Sequence, residues 1–210
     1  MAPNYPINSP LGSEVNMGRF ARLAHAIHLL SQAIRHTTFH FTNLKIQEEE
    51  VVQLDRTIRA LMVVCEQESE RTRLRFCNPL SVCASSLMLL HSHYLPGETL
   101  NIDLPHGISR DHSWIVLKEL SRSLAIGCRE TIDSHSFCLA EISPFVLHSV
   151  YETGVVSLLL AKESSYLEDV EAIRTVKETL KMKNRKWRVA GRCSNSVLDL
   201  ADIFRLQGHT

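Results

Sequence analysis

Apolar residues along this chain recur every three or four positions, not every second one. Phe20, Leu23, Ala24, Ile27, Leu30 and Ile34 follow a lead-in over residues 1–18 that is rich in Pro, Asn, Gly and Ser. The spacing predicts a helix with one apolar stripe. Residues 37–47 break the pattern. It resumes over residues 48–70 with Leu54, Ile58, Leu61, Met62 and Cys65, and Glu48, Glu49 and Glu50 fall at the start, where carboxylates suit the helix dipole. Asn78-Pro79 is an N-cap followed by proline at the first helical position, and Pro96-Gly97 is a stop. Between them Leu80, Cys83, Ala84, Leu87 and Leu90 mark a third helix.

A loop over 96–110 precedes a fourth helix over 111–131, carrying Ile115, Leu117, Leu120 and Leu124. Ser143-Pro144 repeats the cap-and-proline device and opens a fifth helix over 144–162. Ser165 with Glu168 fits a capping box for a sixth, with Leu167, Val170, Ile173, Val176 and Leu180. A last stripe runs Trp187, Ala190, Cys193, Val197, Ala201 and Phe204, with Gly208 as its stop. No sustained alternation and no fixed-period repeat interrupts this reading. The expectation is an all-α fold of about seven helices, a loose lead-in over 1–18 and one helical domain over 19–207.

Charge narrows the function classes. Lys+Arg and Asp+Glu are both 23 in 210 residues, so the net charge is +0. Nucleic-acid binding through bulk positive charge is excluded, as is an acidic tail. The six cysteines (Cys65, Cys77, Cys83, Cys128, Cys138 and Cys193) never form C-x-x-C, and most lie inside apolar runs. Buried thiols in a reducing compartment are expected. The run over 145–161 contains His148 and Glu152. It reads as too short and polar to span a bilayer and as a core helix instead.

Catalytic patterns are sparse. Gly107-Ile108-Ser109-Arg110-Asp111 lacks the final glycine of a nucleophile elbow, and no Gly-rich phosphate loop is present. Among eleven histidines, His36 with His40 and His91 with His93 are close in sequence, without a zincin glutamate. They read as surface or helix-capping residues. The glutamates at 48–50, 66, 68 and 70 read as solvated faces. No catalytic, cofactor or metal residue is nominated, and the chain is not expected to be an enzyme. One basic run stands out: Lys181, Lys183, Arg185, Lys186, Arg188 and Arg192. It suits a nuclear-import or phosphate patch, and more readily the stabilisation of a helix C-terminus.

Four stretches occur in an order that resembles a known family. They are Leu54-Asp55-Arg56-Thr57-Ile58-Arg59-Ala60-Leu61, the run from Cys83 to His91, Ile142-Ser143-Pro144-Phe145-Val146-Leu147-His148 with Tyr151, and Arg185-Lys186-Trp187-Arg188-Val189-Ala190-Gly191. Together they resemble the C-terminal part of the regulatory (middle homology) domain of fungal zinc-cluster transcription factors. The resemblance spans about residues 20–206. It implies a partial all-α regulatory domain of a nuclear transcription regulator, of the kind that controls metabolic or secondary-metabolite gene clusters. The family-motif residues are Ser143, Pro144, Phe145, His148, Tyr151 and Trp187, with structural roles; Phe145 and Trp187 are expected to be buried anchors. The family's six-cysteine zinc cluster does not map onto this chain's cysteines, so zinc is expected only with an upstream cluster. Direct DNA binding by this chain is not expected. The expected partners are transcription proteins or full-length relatives, with self-association and no membrane. The other class retained is an all-α small-molecule-binding or interaction module unrelated to transcription.

Overall fold

The structure, a computed structural model, describes residues 18–38, 44–72, 78–95, 110–133, 143–164 and 167–184. Six helices and no strand occur among the described residues: α1 (Arg19–Thr38), α2 (Leu44–Thr72), α3 (Asn78–Ser92), α4 (Arg110–Asp133), α5 (Pro144–Ser164) and α6 (Leu167–Asn184). The fold class is all-α, as expected. The seventh predicted helix, with its Trp187 stripe, lies outside the described residues, as do Ser165 and all of the lead-in but Gly18.

Helix α3 is the centre of the bundle, packed against α1, α2, α4 and α5. Its composition explains why. Eleven of its 15 residues are buried, including the small run Ser81, Cys83, Ala84, Ser85 and Ser86. Small side chains let neighbouring helices approach closely, and a helix apolar on most sides stays in the core. Around it, α1 and α2 contribute Ala26, Leu29, Val51, Leu54, Ile58, Leu61 and Cys65 to one core with Val82, Leu87 and Leu90. A second core joins α4, α5 and α6 through Cys128, Val146, Leu147, Val150, Val176 and Leu180. Met88, Leu117, Val156 and Leu160 link the two halves. Hydroxyls buried in these helices mostly bond one turn back: Ser86 Oγ donates to Val82 O at 2.7 Å and Thr153 Oγ1 to Ser149 O at 2.7 Å.

Several expectations change. Helix α2 begins at Leu44, so Glu48, Glu49 and Glu50 sit in its second turn and not at its dipole end. The α1 stripe is displaced. Phe20 is 84% exposed, Ile27 and Ile34 also face outward, and the buried positions are Arg22, Ala26, Leu29, Ala33 and His36. Ala26 and Ala33 are fully buried against the core; close backbone packing with α3 selects small residues over the larger ones on the adjacent face. Over Pro144–Ala161 helix α5 is long and apolar enough to cross a membrane by length and composition, which corrects the expectation of a run too short and polar to do so. It packs instead against α3, α4 and α6, in agreement with a core helix.

Candidate functional site: two buried histidine relays

The C-terminal end of α3 takes part in two buried polar centres. After Ser92 the chain tightens: Tyr94 N donates to His91 O at 3.1 Å and Leu95 N to Ser92 O at 3.2 Å. This turn leaves Tyr94 buried, near His91.

The first relay joins α2, α3 and α4. His91, with no solvent exposure, places Nε2 2.9 Å from Asp55 Oδ1 and Nδ1 3.1 Å from Ser113 Oγ. An ionised carboxylate only accepts. His91 therefore donates from Nε2 to Asp55, and its Nδ1 accepts from the Ser113 hydroxyl. Arg59, one turn along α2, donates Nε to Asp55 Oδ1 and Oδ2 at 2.9 and 3.1 Å. Burial alone would raise the Asp55 pKa; the hydrogen bonds and charges of His91 and Arg59 outweigh it and leave the carboxyl below its usual value. Burial pushes the His91 pKa down, Arg59 and His112 add to that, and Asp55 opposes it only partly. His91 is therefore neutral at pH 7. His112, exposed on α4, meets the His91 ring edge-on with centroids 5.7 Å apart. One ligand atom each from Asp55, His91 and His112 lies within 4.8 Å of the others.

The second relay joins α1, α2 and the turn after α3. Buried His36 places Nδ1 3.0 Å from Glu50 Oε2 and Nε2 2.8 Å from the Tyr94 hydroxyl. His36 donates Nδ1–H to the Glu50 carboxylate, and its Nε2 shares a hydrogen bond with the Tyr94 hydroxyl. Arg35 reaches Glu50 Oε1 at 3.4 Å from the exposed side. Both histidines were expected at the surface or as caps; the structure corrects this for His36 and His91. His40 lies outside the described residues.

The order Ser113–His91–Asp55 has the members of a nucleophile, base and carboxylate relay. Ser113, however, is fully buried, so its hydroxyl is sealed from any substrate in this arrangement. What the relay does do is pair the Asp55 carboxylate, both His91 nitrogens and the Ser113 hydroxyl across three helices, which fixes their register, while Arg59 Nη2 stays buried without a partner.

Five of the six family-motif residues lie at the start of α5. Ser143 caps the helix: Val146 N donates to its Oγ at 3.4 Å, and Leu147 N to its carbonyl at 3.2 Å. Its hydroxyl also donates to Asn78 Oδ1, tying the starts of α3 and α5 together. Pro144 takes the first helical position. Phe145 is 37% exposed and not the buried anchor expected, because Val146, Leu147 and Val150 take the inward face. His148 is on the exposed side and pairs with Glu152 at 3.3 Å, which raises its pKa against the opposing effect of burial. Tyr151 is half-buried. Trp187 lies outside the described residues. Of the basic run, Lys181 and Lys183 occupy the last turn of α6, with Lys181 exposed; Arg185, Lys186, Arg188 and Arg192 lie outside the described residues.

Some signals for the relays were present in the chain. Asp55 sits between Leu54 and Ile58 on the buried face of α2, where a carboxylate needs a partner. His91 falls four residues after Leu87 and seven after Ala84, on the buried side of α3. Ser113 and Tyr94 carried no local signal, because only the packing of α4 and the turn after α3 aims them inward. No protein-family model, curated protein or solved structure matches this chain.

Proposed function

We propose that this chain is a regulatory or interaction region of the kind found in fungal zinc-cluster transcription regulators. In this reading it works in the nucleus, through protein partners, without a DNA-binding module within these residues and without catalysis. One observation supports the reading most. Two of the four stretches that carry the resemblance are bonded to each other, and a third is bonded to the helix that carries one of them. The stretch around Asp55 and Arg59 is bonded to the one ending in His91, and the one opening at Ser143 is bonded to Asn78 at the start of the same α3. Stretches that mark a shared scaffold should meet in this way. The outward line Phe20, Ile27 and Ile34 on α1 offers an apolar face for a protein contact.

The test is to map the 5′ end of the transcript and translate upstream in frame. An in-frame zinc cluster opening with C-x-x-C supports the regulator reading and supplies the DNA-binding part. An upstream frame encoding an unrelated catalytic or transport domain overturns it. The second reading, an all-α binding module unrelated to transcription, draws on the convergence of Asp55, His91 and His112. It would be favoured if such an unrelated domain were found.

A further inference from the structure

We propose that Asp55, His91 and His112 form a binding site for a zinc-class divalent cation that ties α2, α3 and α4 together. This departs from the expectation of a chain without metal ligands and does not depend on the regulator reading. Two imidazoles and one carboxylate are a common donor set for a borderline cation, with water completing the coordination. The three donor atoms already lie within 4.8 Å of one another. Tetrahedral bonds of about 2 Å place donors roughly 3.3 Å apart, so a contraction of up to about 1.5 Å closes the site. His112 is the exposed member and can supply that movement, and its side is also the route of entry.

The shell behind His91 suits a metal. Its Nε2 faces Asp55 at 2.9 Å, so the ion would take the place of the Nε2 proton. The ring then carries its proton on Nδ1, which faces Ser113 Oγ at 3.1 Å. A serine hydroxyl both donates and accepts, so it turns from donor to acceptor and keeps the bond. The imidazole stays neutral, with no net proton lost. Partners of this kind orient a ligating histidine and strengthen it as a donor. Arg59 opposes the ion. Its Nε bonds both Asp55 oxygens, which orients the carboxylate but places a positive charge beside the site. Affinity therefore falls below that of a closed four-ligand structural site.

The chain is stripped with chelator and titrated with cobalt(II) chloride, then with zinc chloride. The expected result is one saturable equivalent of cobalt with visible ligand-field bands, displaced by zinc, and a raised melting temperature when zinc is present. His112→Ala and His112→Lys change a surface side chain, so both should keep the helical spectrum and the metal-free melting temperature. Each should weaken the first equivalent by about tenfold or more. Binding at parental affinity in both variants would assign the ion to other histidines or cysteines and overturn the site. So would the absence of a saturable equivalent up to about 100 μM metal.

Discussion

Asp55→Ala removes the acceptor on which two helices converge. In the parent, the carboxylate takes Nε2–H of fully buried His91 and Nε–H of Arg59. Truncation leaves the His91 donor in the core without a partner, at about 1–3 kcal/mol. Arg59 loses its counter-charge as well, but its side chain is 39% exposed, so solvent screens much of that charge although Nη2 is buried. That share is discounted to about 0.5 kcal/mol. The total is about 1.5–3.5 kcal/mol, which for a chain of this size lowers the melting temperature by roughly 3–14 °C. Urea and thermal unfolding, followed by helical circular dichroism in chelator, give the value. Pairing the change with His91→Ala completes a double-mutant cycle. Once His91 is gone, Asp55→Ala should cost at least about 1 kcal/mol less than in the parent. A loss below about 0.5 kcal/mol for Asp55→Ala, or strict additivity with His91→Ala, would refute the claim that this bond pins α2 to α3.

Acid should destabilise the metal-free chain from near pH 6.5 downward. The His91 pKa is lowered in the fold, so the unfolded chain takes up a proton that the folded chain refuses, and stability rises with pH across that window. His91→Gln should flatten the slope between about pH 6.5 and 5 in urea titrations at stepped pH; an unchanged slope would count against a neutral buried His91. Exposed His148 is raised and acts in the opposite sense, its contribution being lost as pH rises above 6.5, but solvent keeps it small. The hydroxyls of Ser85 and Ser157 are buried without a hydrogen-bond partner. Ser157→Ala should therefore stabilise by about 1 kcal/mol, whereas Ser86→Ala, which loses a bond to Val82, should not; equal shifts in thermal melts would contradict this. Replacing Phe20 and Ile27, both outward-facing, with lysine should leave the melting temperature within about 2 °C and reduce any self-association seen by light scattering. A large drop in melting temperature would mean that this face is packed.

The helices were legible where caps and spacing act locally. Asn78-Pro79 and Ser143-Pro144 open α3 and α5 where the residues predict, since a cap and a proline decide a helix start by themselves. The face of α1 was misread because periodicity weights large side chains, and the bundle instead selects Ala26 and Ala33, whose small size admits a neighbouring backbone. Phe145 was misread for a similar reason: it shares the first turn of α5 with Val146 and Leu147, and only the direction of packing decides which of the three turns inward. The relays were hidden more deeply. Asp55 and His91 are 36 residues apart, and His36 and Tyr94 are 58 apart. No pattern within one helix reveals partners that tertiary packing brings together.

The functional claim is tested most directly by tethering. The chain, with and without Asp55→Ala, is fused to a heterologous zinc-cluster DNA-binding module carrying an activation segment and assayed on a reporter in a fungal host. A folded regulatory region should change reporter output severalfold and act from the nucleus, and Asp55→Ala should abolish that change at equal protein level. A parent fusion that is folded, nuclear and bound to the promoter, yet leaves output unchanged, would contradict a role in transcription regulation.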